Sequence, residues 1–100
     1  MTELSAVSGL SEELIQQIAE VARDFGCRKL VLYGSRATGN FKSTSDIDLA
    51  VDCEGEIGPL EIYLSELDTL LKFDIVHLKR LPEPLLSEIL KHGRVIYEKV

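Results

Sequence analysis

The sequence predicts a small α/β (α+β) domain, a mixed sheet of three or four strands with helices packed on one face. Three observations carry that reading. Apolar residues recur at helical spacing from Leu14 to Phe25, short apolar or alternating runs at 29–33, 46–52 and 72–78 read as strands, and a second helical pattern separates the last two.

In chain order, Ser11 is placed to cap the first helix, with Glu12 and Glu13 at the positive end of its dipole and Leu10 and Ile15 spaced as a hydrophobic staple. Leu14, Ile15, Ile18, Val21, Ala22 and Phe25 form its apolar stripe, and Gly26 ends it. Lys29 to Tyr33 is a continuous apolar run stopped by Gly34, the pattern of a buried strand, and a loop or short helix follows. From Asp46 to Asp52 the pattern alternates, which puts Ile47, Leu49 and Val51 on one face and Asp46, Asp48, Ala50 and Asp52 on the other. Pro59 suits the first turn of a helix running to about Leu71, with Leu60, Tyr63, Leu64, Leu67, Leu70 and Leu71 apolar and Ile62 outside the stripe. Lys72 to Leu78 is a third strand with Asp74 in its middle. Pro82 and Pro84 bracket the start of a last helix through about Lys91, Gly93 ends it, and Arg94 to Tyr97 supplies a short final strand.

With 45% hydrophobic and 28% charged residues the composition is globular, and the length predicts one domain over residues 1–100. A net charge of −6 excludes a broad phosphate-tracking surface, so no direct nucleic-acid partner is expected. No apolar run reaches the roughly 18 residues of a membrane span and the first residues lack a basic signal-peptide start, which predicts a cytoplasmic protein. Cys27 and Cys53 match no zinc spacing and no C-x-x-C pair; each borders an apolar run and is expected as a small buried side chain.

Two carboxylates inside a strand need a reason. Asp46 and Asp48 lie on one face, about 6.5 to 7 Å apart by the strand rise, where they repel each other unless a cation relieves the conflict. Asp74 on another strand is the candidate third ligand. A set of hard oxygen donors favours Mg²⁺ or Mn²⁺ over zinc, and Mg²⁺ completes its shell with waters and substrate phosphates. Gly34 and Ser35, directly after a strand, offer backbone N–H groups and a hydroxyl to such phosphates, with Arg36 adjacent as a charged donor. Gly34 and Gly39 have the spacing of a Walker A loop, but Asn40 and Phe41 stand where that motif needs Lys and Ser or Thr.

Gly34-Ser35, ten residues, then Asp46-Ile-Asp48 resembles the pattern of the DNA polymerase β-like nucleotidyltransferase superfamily. The chain is most similar to its minimal nucleotidyltransferase (MNT) proteins, whose G-S-R-A-x-G…S-D-[IL]-D-L reads here as GSRATG and SDIDL. Phe73-Asp74-Ile75 fits the family's third carboxylate, and the ending from Ile89 to Tyr97 resembles its last helix, glycine and terminal strand. The resemblance implies that Asp46, Asp48 and Asp74 bind metal and carry catalysis. It implies too that Gly34 and Ser35, with Arg36 as a further contact, hold the phosphates of a nucleoside triphosphate such as ATP, and that a nucleoside monophosphate is transferred by a two-metal mechanism. It also implies an antitoxin that modifies a HEPN-domain toxin with AMP, working in a hetero-oligomer or homo-oligomer. The alternatives are an antitoxin acting by binding alone, and nucleotidyl transfer to a small molecule such as an aminoglycoside.

A solvated strand face explains Asp46 and Asp48 taken alone, but not their coincidence with Gly34-Ser35 and Asp74. Asp52, about 13 Å beyond Asp48 along the strand and too far to share its cation, is expected to be solvated. His77 and His92 are expected as packed or surface side chains, and Ser45 as a residue orienting Asp46.

Overall fold

The computed structural model describes residues 3–99. Its elements are α1 (Glu3–Ser8), α2 (Glu12–Asp24), β1 (Lys29–Tyr33), α3 (Ser35–Thr38), β2 (Ile47–Asp52), α4 (Gly58–Ser65), β3 (Phe73–His77), a 3-10 turn at Leu78–Arg80, α5 (Glu83–His92) and β4 (Arg94–Glu98). The four strands form one mixed sheet in the order β3-β2-β1-β4. β1 runs antiparallel to both β2 and β4, while β2 and β3 are parallel, joined by a crossover through α4. The expected mixed α/β class is present, but the helices are not confined to one face as expected, since α5 packs on the side opposite α2 and α4.

The alternation along β2 sorts the core. Ile47, Leu49 and Val51 are fully buried with Leu30 and Leu32 of β1 against Ile18 and Ala22 of α2 and Leu60 and Leu64 of α4. This is the main helical layer. On the opposite face α5 brings Ile89 against Val31, Ala50 and Leu78, a smaller cluster that covers part of the face carrying the aspartates. Gly93, where α5 turns into β4, allows this approach, because a Cβ there would meet Val31 and the carbonyls of Ile89 and Leu32.

Ser11 caps α2 as expected, accepting a hydrogen bond from the Leu14 N–H at 3.1 Å. The helix expected to reach Leu71 ends at Ser65 instead. There the Ser65 hydroxyl donates to Ile62 O at 2.6 Å, the Glu66 and Leu67 N–H groups form tighter bonds to Tyr63 and Leu64, and Thr69 accepts from the Leu71 N–H. Hydroxyl side chains thus compete with the helical pattern. Leu67 and Leu71 still pack on the core, whereas Leu70, expected on the apolar face, is fully exposed.

Cys27 and Cys53 are both buried, as expected, but they are not separate thiols: a disulfide joins them. It closes the end of the β1–β2 pairing beyond Lys29 and Asp52, opposite the end where Tyr33 meets Asp48. Sequence spacing could not show this, because the pairing depends on the strand register. Among the described residues no helix is long and apolar enough to cross a membrane.

Candidate functional site

The site grows from strand register. Antiparallel pairing sets Tyr33 opposite Asp48, and parallel pairing sets Asp48 opposite Asp74. Partners in register project to the same face, so Tyr33, Asp48 and Asp74 form a row across β1, β2 and β3. Asp46 stands one residue before β2, exposed, where Ile47 N–H donates to Lys72 O at 2.8 Å. The crossover through α4 is what delivers Asp74, distant in sequence, to Asp48.

Burial first, and then the charges of Asp74 and Asp46, push the Asp48 carboxyl above its ordinary value. Tyr33 behaves alike: burial first, then Asp74 and Asp48, raise its phenol. Two carboxylates and a phenol in one row disfavour negative charge, which a cation would relieve. All the donors are hard oxygens, the chemistry that suits a small divalent ion. Among the described residues no three His, Cys, Asp or Glu side chains stand as a ready-made metal cage, so the three aspartates are electrostatically coupled rather than already gathered.

Gly34 adopts φ 74° and ψ −154°, a region essentially reserved for glycine. A Cβ there would also collide with the Asp48 carboxylate. Gly34 therefore brings the start of α3 directly against Asp48. Ala37 and Thr38 donate to the Gly34 carbonyl, and the N–H groups before them, at Ser35 and Arg36, lack an intrahelical acceptor, as in the first turn of any helix.

Arg36 lies elsewhere. Expected beside the phosphates, its side chain is buried, 2% exposed, and turned into the loop that follows. Nε donates to Ser45 O at 3.0 Å and Nη1 to Ser8 O at 2.8 Å, Nη2 reaches Ser43 O at 3.3 Å and Lys42 O at 3.5 Å, and the group lies over the Phe41 ring. Burial pulls the guanidinium below its ordinary pKa. Its position gives it another task, that of holding the loop from Lys42 to Ser45 that leads into Asp46. Ser45 likewise closes this loop, its hydroxyl accepting from the Lys42 N–H at 2.8 Å.

The remaining residues fall into place around the row. Asp52 is not simply solvated: it pairs with Arg28 at 3.3 Å and Lys79 at 3.6 Å. His77 is packed, its Nδ1 accepting from the Lys79 N–H, which leaves Nε2 to donate to Cys53 O at 2.9 Å. His92 borders an open cleft of about 500 Å³ that Tyr33, Gly34 and Ile89 also line. A second cleft, of about 430 Å³, has Asp46 beside Ser43, Leu70 and Lys72. Sequence reasoning passed over Tyr33 as a site residue. Its signal was its place as the last residue of the strand, directly before Gly34.

Residues 16–100 match the family described as polymerase beta, nucleotidyltransferase. Comparison with curated proteins finds no match. Among solved structures, the fold is similar to a toxin–antitoxin crystallised with AMP-PNP, with TM-score 0.68, 22% identity, and 85% of this chain and 73% of that chain covered. It is similar to the MntA–HepT toxin–antitoxin, with TM-score 0.63, 20% identity, and 89% and 74% covered. A mutant of that pair with two Asp-to-Glu replacements gives TM-score 0.67 at 22% identity, with 85% and 73% covered. The glycine-serine turn, the register that aligns Asp48 with Asp74 and the match over residues 16–100 agree, and the chain belongs to the polymerase beta nucleotidyltransferase family.

Proposed function

We propose that the protein transfers AMP from ATP to a hydroxyl of a HEPN-family toxin and thereby acts as its antitoxin in the cytoplasm. The observation that carries this reading is the placement of Gly34 against Asp48 with Asp74 as the next carboxylate in the row. The fold likeness to toxin–antitoxin structures, one with AMP-PNP, supports it.

In this reading Gly34 and Ser35 receive the terminal phosphates through the open N–H groups at the start of α3 and the Ser35 hydroxyl. Asp46 and Asp48 would hold Mg²⁺ or Mn²⁺, with Asp74 completing the set for a second ion. When bound, such ions supply Lewis-acid stabilisation of the attacking and leaving oxygens. Asp74, the exposed member of the row, takes the acceptor's proton. The acceptor oxygen bonds to the α-phosphorus, the bond from that phosphorus to the bridging oxygen breaks, and its electron pair leaves with pyrophosphate. Arg36 acts by fixing the loop.

A second reading, inhibition of the toxin by binding alone, is favoured by the exposed apolar surface that Ile62 and Tyr63 present on α4. Co-expression of the toxin with a doubly substituted Asp46→Asn, Asp48→Asn protein separates the two. Growth arrest despite normal levels of the variant supports transfer; full rescue by the variant supports binding alone.

A further inference from the structure

β3 is an edge strand: β2 pairs with one side of it, and no strand among the described residues pairs with the other. Along that free side runs an open groove of about 510 Å³, with Phe73 and Ile75 of β3 on its floor and Ile62, Glu61 and Leu71 on its wall. Ile62 is 59% exposed, a large apolar side chain on a helix that otherwise buries Leu60 and Leu64. The groove shares Leu71 and Lys72 with the cleft that contains Asp46, so it leads to the carboxylates.

We infer that this groove receives an extended segment of the acceptor protein, added to the sheet as a strand beside β3. The inference rests on the transferase reading for what the segment is used for, and on the edge alone for its binding. Strand addition at a free edge gives affinity through main-chain hydrogen bonds and specificity through alternate side chains. Alternation then dictates the acceptor. The residue opposite Asp74 projects to the same face as Asp74 and Asp48, with its Cβ about 5 Å from that of Asp74. A tyrosine, serine or threonine there places its hydroxyl at the end of the row, where the proton is to be taken. Its two neighbours in sequence turn to the other face and lie over Phe73 and Ile75, against Ile62, and are therefore apolar.

Charge selects among such segments. From Ser43 to Leu71 the sequence contains aspartates and glutamates and no lysine or arginine. Glu61 and Lys72 both line the groove, and Glu66, Asp68 and Asp74 are exposed nearby in the chain, so carboxylates outnumber the one lysine there. The segment that fits is basic beyond its apolar pair, and a polyanion does not fit.

The probe is the blocked peptide Lys-Val-Tyr-Val-Lys, with Glu-Val-Tyr-Val-Glu and an oligouridylate as controls, titrated into isotope-labelled protein and followed by amide chemical shifts. The basic peptide should perturb the amides from Phe73 to His77 and those of Glu61 and Ile62, and bind at least tenfold more tightly than either control. Ile62→Glu should weaken it about tenfold; should that variant lose its dispersed spectrum, Glu61→Lys serves instead and should shift preference toward the acidic peptide. Equal binding of both peptides, shifts confined to β4 or α5, tighter binding of the oligonucleotide at β3, or no binding overturns the inference. ATP with Mg²⁺ is titrated separately. Peptide binding without nucleotide binding keeps the groove and rejects the transferase reading, and the reverse rejects the groove alone.

Discussion

Asp48 and Asp74 are register partners in the parallel pairing of β2 and β3, so two carboxylates leave the same face of adjacent strands about 5 Å apart. A fold selected for stability alone would place an apolar or oppositely charged pair there. The strain is local and electrostatic, and it makes the site testable without a substrate.

Replacing Asp48 with Asn should stabilise the protein in the absence of divalent ions while removing activity. Burial and the charges of Asp74 and Asp46 raise the folded-state pKa of Asp48, so its ionisation opposes folding. Stability contributed by its protonated form is complete below the unfolded carboxylate range and falls as pH rises from there through the raised folded value. Melting curves in EDTA should thus show the variant gaining on the parent above that window, by on the order of 0.5–1 kcal/mol at neutral pH. With Mg²⁺ added the parent alone should gain. A variant that is less stable in EDTA at neutral pH contradicts the electrostatic account.

Gly34→Ala should remove nucleotide binding and lower stability by roughly 1–3 kcal/mol, since it forces a side chain into a glycine-only conformation and against Asp48. Urea denaturation and ATP titration measure the two effects. Pairing it with Asp48→Ala, which clears the collision, should recover part of the stability and none of the binding.

Arg36 divides what the sequence shows from what only the fold shows. The glycine-serine turn and both strand aspartates are legible as a chemical pattern, because spacing along one segment fixes their relation. The alternation likewise shows which face of β2 is buried. An arginine next to a phosphate-binding turn reads as a phosphate contact on the same grounds, yet its partners are carbonyls from Ser8 and from the loop of Lys42 to Ser45, gathered only after folding. The Cys27–Cys53 bond is hidden for the same reason. Helix α1 carries too few apolar residues to show a stripe, and the hydroxyls that end α4 at Ser65 look, in sequence, like ordinary helix-surface residues.

Arg36→Ala and Arg36→Lys should therefore both cost roughly 2–4 kcal/mol, because the buried Ser8 carbonyl and the part-buried loop carbonyls lose their donor and a lysine cannot span them. Their effect on nucleotide affinity should track the loss of fold. A fully folded Arg36→Ala protein with weakened ATP affinity would instead place the guanidinium at the phosphates.

Reducing the disulfide, or replacing Cys27 and Cys53 with Ala, should lower stability by about 3–4 kcal/mol for a bridge spanning 26 positions. Because the bridge lies at the end of the β1–β2 pairing away from Asp48, ATP affinity measured under conditions where both forms are folded should be the same. A large change in affinity contradicts that separation.

The most direct test of the central claim uses the intact protein, a HEPN-family toxin as the proposed partner, Mg²⁺ and ATP labelled either at the α-phosphate or at the γ-phosphate. The account predicts label on the partner from the α-phosphate only, and none when Asp46 and Asp48 are both replaced by Asn. Label from the γ-phosphate, or no label from a protein that binds ATP and its partner, would contradict it.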